Sequence, residues 1–176
     1  MAWFRRVGLP AGERPPLARE ERVLAWARSD AGVLVATNLG LWLPAEPPGR
    51  LGWPEIHKAA WSGRELVLTA ARRVEERSGY AIVEDLPPVP FTLAEPGELP
   101  HQVRARVTRS VGYSVHHGLP GGGGLRIAAR RVPGVDGLRW TVRYDPGVNP
   151  DDPLVADATA QLVADSLQEH SPDAAG

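Results

Sequence analysis

The sequence predicts an α+β fold: an antiparallel barrel or sandwich with a helix after its last strand, followed by a β-hairpin and a C-terminal amphipathic helix. Three observations predict it. Short β-branched and aromatic runs recur between residues 21 and 93, spaced by roughly 8 to 12 residues and separated by turn-formers. Leu99, Val103, Val107 and Val111 fall four apart, as on one face of a helix. Alternation over 125–131 and 138–144 gives way, from Asp152 onward, to a helical apolar repeat.

The first strands are "RVLAWAR", "GVLVATN" and "LGLWLP", divided by Ser29-Asp30 and by Asn38 to Gly40, which is hairpin chemistry. "RLGW" follows the Pro47-Pro48-Gly49 turn, and "HKAAWSG", "RELVLTA", "YAIVED" and "VPFTLA" continue the series. "ELPHQVRARVTRSV" then reads as a helix with Pro100 in its first turn, where no backbone N–H is needed, ending near Gly112. "VGYSVHH" also alternates as a strand would. After five glycines within residues 118–124 come "LRIAARRV", the turn "PGVDG" and "LRWTVRY", a hairpin with one apolar and one basic face. In the last helix Asp152 suits the N-cap and Pro153 the first position; Leu154, Ala158 and Leu162, with Val155, Val163 and Leu167, form its apolar stripe.

These elements divide the chain into a leader (1–19), a barrel-like domain (20–117), a glycine-rich joint (118–124), a hairpin-helix extension packed on that domain (125–170) and a tail (171–176). The chain has 176 residues, 43% of them apolar and 23% charged, the range of a folded globular protein. No run approaches the roughly 20 apolar residues of a membrane span. The opening "MAWFRRVGLPAGERPP" lacks a signal peptide's apolar core, so the expected location is cytoplasmic. The absence of cysteine excludes disulfides, thiolate zinc sites and cysteine nucleophiles.

"GVLVATNLGLWLP" followed by "RLGWPEIHKAAWSGRELVL" resembles the bacterial pleckstrin-homology-like (PH-like) pattern. There a strand pair ends in a threonine and turn, a later strand leads to an aromatic-x-x-Ile step, and a hairpin follows. The resemblance covers about residues 20–113 and implies that the helix from Glu98 plugs the open end of a small barrel. Over the whole chain, "LGWPEIHKAAW" and "RRVPGVDGLRWTVRYDPG" resemble a group of uncharacterised actinobacterial proteins, from which a fold and no activity carries over. PH-like folds usually bind rather than catalyse, an implication at the level of fold alone.

The residues themselves argue against several chemistries. A phosphate-cradling loop runs from a strand through glycines into a helix; here the glycines precede a strand, and no Lys-Ser or Lys-Thr closes them. His116 and His117 are neighbours whose side chains diverge in an extended chain, and no H-x-x-x-H spacing is present, so no metal is expected. "GYSVHH" is not a nucleophile elbow, and the doublets Glu75-Glu76, Glu84-Asp85 and Asp151-Asp152 diverge or cap. No catalytic residue and no cofactor is expected.

Two surfaces remain as candidates. Alternation puts Arg126, Arg130, Arg139 and Arg143 on one face of the hairpin, with Arg104 on the preceding helix, a surface suited to phosphate or an RNA backbone. Lysine is represented by Lys58 alone against 19 arginines, a bias that fits a GC-rich genome and discounts such clusters. Residues 96–146 hold eight arginines against Glu98, Asp136 and Asp145; residues 147–176 hold six acids and no lysine or arginine. The acidic last helix is therefore the expected neutraliser of the arginine face. Of the six tryptophans, Trp26, Trp42, Trp53 and Trp61 suit the core, whereas Trp3 and Phe4 beside Arg5 and Arg6 suit a partner.

The function expected from this is a non-catalytic binding or adaptor module for a protein partner or a second copy. Nucleic-acid or anionic-lipid binding through the arginine face is one alternative. An enzyme site at the His-His and glycine segment is another, and it requires a clustered, buried His–carboxylate pair there. A neutralised arginine face favours the first reading and a continuous positive one the second.

Overall fold

The computed structural model describes residues 8–171, which form an α+β protein of eleven strands, two α-helices and two short 3-10 turns divided into two compact units. One comprises the chain to Ala70 together with Pro87–Ser110; the other comprises Ala71–Leu86 and the chain from Val111. Among the described residues no helix is long and apolar enough to cross a membrane.

In the first unit β1 (Val23–Ser29), β2 (Gly32–Thr37), β3 (Gly40–Leu43) and β4 (Gly49–Gly52) form an antiparallel four-stranded meander. β5 (Ile56–Trp61) and β8 (Val89–Thr92) flank the first half of β6 (Glu65–Arg77). A bridge between Ser29 and Leu93, with hydrogen bonds between Asp30 and Thr92, ties the end of β1 to that of β8. Helix α1 (Leu99–Ser110) buries Leu99, Val103 and Val107 in the cluster formed by Ala25, Ala27, Leu34, Ala36, Trp53, Leu66 and Phe91. Alanines at three of the strand positions leave room for the helix. Leu99 is fully buried, so Leu99→Ala is expected to lower stability by about 3 kcal/mol, read as a shifted urea midpoint.

A buried carboxylate holds the N-terminal segment to this unit. The Glu21 side chain is 0% exposed. Its Oε1 accepts from Thr37 Oγ1 (2.6 Å) and Trp42 Nε1 (2.9 Å), and its Oε2 from the Ala18 amide (2.9 Å) and Arg50 Nη1 (2.5 Å). The Trp53 indole N–H donates to the Thr37 carbonyl, so two core tryptophans have their polar edge satisfied within this cluster.

In the second unit the latter half of β6 pairs with β7 (Tyr80–Asp85), and β7 pairs in parallel with β11 (Leu138–Tyr144). β11 pairs with β10 (Gly124–Arg131) and β10 with β9 (Val111–Gly118), giving the order β6-β7-β11-β10-β9. β6 is longer than "RELVLTA": "ARRVEER" continues it, a charged stretch stitched by ion pairs of Arg72 with Glu84, Arg73 with Glu76 and Arg77 with Glu75.

Asp152 caps α2 (Pro153–Glu169) by accepting from the Leu154 amide, with Pro153 at the start. The helix packs Val155, Ala158, Leu162, Val163 and Leu167 against Tyr80, Ile82, Leu125, Ile127 and Val142. Leu154, expected in this stripe, is 73% exposed. The buried face is instead completed by Thr159 and Ser166, which donate to the carbonyls of Val155 and Leu162. The glycine run lies inside this unit as the β9–β10 turn, where Gly121, Gly122 and Gly123 take φ of 87°, 105° and 69°. Three consecutive left-handed residues close the hairpin, a requirement that only glycine meets without strain.

Candidate binding surface

The register of the second sheet fixes which side chains share a face. Arg126 pairs with Arg143 and Arg130 with Arg139, so the four hairpin arginines do lie on one side. β9 adds His116 opposite Arg126 and Ser114 opposite Ala128. A single cross-strand row therefore reads His116, Arg126, Arg143.

Carboxylates flank that row. Asp85, at the end of β7, accepts from Arg143 Nη1 at 2.8 and 3.0 Å. Asp145, just past β11, holds His116 Nε2 at 2.9 Å. Between them Arg126 donates to Ser114 Oγ at 3.1 Å. Arg130 is only 8% exposed. Burial pushes its guanidinium below the usual arginine value, the Arg143 charge adds to this, and Asp85 opposes it. Arg139 is exposed; Arg104 is exposed on α1, in the other unit. The face thus carries both signs: Arg143 has a carboxylate beside it, and Arg126 has a hydroxyl.

The neutraliser is not the one expected. α2 covers the opposite face of the sheet, because the residues that meet it, Leu125, Ile127 and Val142, alternate with the arginines along β10 and β11. Burial of the helix's apolar stripe, about 25 cal/mol per Å², outweighs surface ion pairs worth under about 1 kcal/mol each. The acids that stand on the arginine side are Asp85, on Arg143, and Asp145, on His116.

The two histidines point to opposite faces, as adjacent strand residues do: His116 stands opposite Arg126 and His117 opposite Leu125. The His116 ring lies across Gly124, where a Cβ would sit 2.6 Å from its Cε1. A His–carboxylate pair is therefore present, with side chains 45% and 38% exposed rather than enclosed as an enzyme site at this segment requires. Among the described residues no group of three or more His, Asp or Glu is arranged to hold a metal ion. Compared with known proteins, the chain matches no family model, no curated protein and no solved structure.

Trp42 and Trp53 are buried, and Trp61 packs against the same core. Trp26 is half-buried beneath the Arg28 guanidinium, 5.9 Å from the ring centre. Trp3 and Phe4 lie outside the described residues. On the α2 side of the second sheet Tyr113, Trp140 and His170 form a three-ring cluster, with Tyr113 and His170 centroids 4.3 Å apart.

The sheet ends at β9, and among the described residues no strand lies on its outer side. Five of its eight residues are exposed, including Val115 at 37%. A bulge at Gly112 interrupts the strand near its start, and the Arg131 guanidinium of β10 donates to the Val111 carbonyl. Residues 113–117 form a regularly paired stretch with no strand on its outer side, between that bulge and Gly118, where the hairpin turn begins.

Proposed function

We propose that this protein is a non-catalytic binding module, acting in the cytoplasm, whose first unit is a PH-like domain and whose ligand is another protein surface. Support for the PH-like reading is the first unit's order: four strands, three strands, then a helix whose Leu99, Val103 and Val107 fill the space between them. That order is what the resemblance of "GVLVATNLGLWLP" and its following hairpin implies. In this reading β6 and β7 form an extended hairpin between the sixth and seventh barrel strands, and the second unit is assembled on it.

The observation that carries a protein ligand over a nucleic acid is the mixed charge of the hairpin face: Asp145 on His116, Asp85 on Arg143, and Arg130 buried. A polyanion site needs several cations facing phosphate with no competing carboxylate, and its affinity falls steeply with salt. Mixed-sign, partly apolar surfaces suit protein partners. Nucleic-acid or anionic-lipid binding stays as a second reading on one observation: Arg126 is bonded to a neutral hydroxyl and Arg139 is exposed.

An affinity pull-down from host lysate at low and high salt, with protein and nucleic acid both analysed, separates the two. The expected result is a protein retained at high salt. Capture of nucleic acid lost at high salt, and lost with Arg126→Glu plus Arg139→Glu, would establish the second reading instead.

A further inference from the structure

Resting on the reading that the ligand is a protein surface, we propose that the partner is a second copy of this chain, docked edge to edge through β9 about a two-fold axis at Val115. An uncovered strand edge is a template for another strand, and natural sheets block such edges with proline, lysine, inward charges or bulges. "VGYSVHHG" contains no proline, lysine, arginine or acid. Its one interruption lies at its start, where a bulge falls at Gly112.

The usable edge selects its own register. The five residues 113–117 lie between the bulge and the turn, and their centre is Val115. Antiparallel pairing centred there sets Tyr113 opposite His117 of the copy, Ser114 opposite His116, and Val115 opposite itself. Residues of equal parity face each other, so the α2 side of one sheet continues into the α2 side of the other and the arginine sides likewise align. No like charges stand opposite, whereas a shift of two residues that centres the axis on His116 would oppose two histidines. Val115, an exposed valine at the rim of the α2 face, would be covered by its equivalent. The contact is isologous, so it closes as a dimer rather than growing as a fibre.

Because the chain has no cysteine, one engineered thiol reports the register without background. In this pairing the two copies of residue 115 stand directly opposite, about 4.5 to 5.5 Å apart at Cα, within disulfide reach, whereas the copies of residue 114 are offset diagonally beyond it. Val115→Cys is expected to cross-link on mild oxidation at least about tenfold faster than Ser114→Cys, whose thiols must distort the pairing to meet. Wild-type protein at about 100 µM is expected to sediment as a dimer, and Val115→Lys as a monomer with unchanged circular dichroism, since the edge then opposes two lysines. A wild-type monomer at that concentration, or equal cross-linking at 114 and 115, overturns the proposal. If the wild type is monomeric while a host protein is retained at high salt, only self-pairing falls; if neither is found, the protein-ligand reading falls with it.

Discussion

Replacing Glu21 with glutamine is expected to lower the stability of the protein by about 3 kcal/mol, or about 6–12 °C in Tm for a chain of this size. The carboxylate accepts from four donors: the Thr37 hydroxyl, the Trp42 indole, the Ala18 amide and the Arg50 guanidinium. The glutamine amide fits the same volume but turns two N–H donors toward at least one pair of those groups, leaving donors facing donors in a site without water access. Burial alone would raise the Glu21 carboxyl, but the bonds from Thr37, Ala18 and Trp42 and the Arg50 charge together outweigh it and hold it below the usual value. A depressed folded-state value means the contribution is fully present above the unfolded value of about 4.3 and is lost as pH falls through the lower folded one. Wild type minus Glu21→Gln, measured by urea unfolding from pH 7 to pH 3, should therefore shrink on the acid side. A difference that is flat with pH would mean that the carboxylate is not held in this way.

Gly40→Ala is expected to cost a similar amount or more, for a reason of contact rather than conformation. Gly40 opens β3 opposite Gly52 of β4, and an added Cβ would sit 2.2 Å from the Leu51 carbonyl oxygen and 2.9 Å from its carbon. Both are backbone atoms of a paired strand, so relief requires β4 to move, with loss of ladder bonds and of the Thr37 hydroxyl's contacts with the Gly40 amide and carbonyl. The expected penalty is about 3 kcal/mol or more. Gly49→Ala, at the other end of the same pairing and with open space at its Cβ, is the control and should change Tm by about 2 °C or less.

What the sequence revealed is local. The turns at Ser29-Asp30 and Asn38 to Gly40, the α1 stripe of Leu99, Val103 and Val107, the 125–144 hairpin and the Asp152-Pro153 helix start each depend on residues within one turn or strand of one another. The arginine face was legible in the same way, since alternation alone assigns Arg126, Arg130, Arg139 and Arg143 to one side. Its electrostatic character was not. Asp85 reaches Arg143 because β7 and β11, 58 residues apart at this contact, pair in parallel, and no local signal announces such a pairing. Segment charge, +5 against −6, pointed to α2 as the counterion, but the helix follows its apolar stripe to the other face. "ARRVEER", beyond the expected strand "RELVLTA", is a strand because β7 offers it a ladder and its charges pair, two within the segment and Arg72 with Glu84 of β7.

The course of β6 has a consequence for synthesis. Its first half belongs with residues finished by Ser110, its second half with strands and a helix that come later. The first core can close once α1 has emerged, but Tyr80 and Ile82, already made, wait for Leu125, Val142 and Val163 to cover them. At about 5–20 residues per second, the roughly 80 residues between Ile82 and Val163 leave the apolar face of β7 unsheltered for about 4–16 s on the ribosome. During that interval the side chains of Tyr80 and Ile82 lack the neighbours that bury them in the finished fold, and they gain them when β10, β11 and α2 dock.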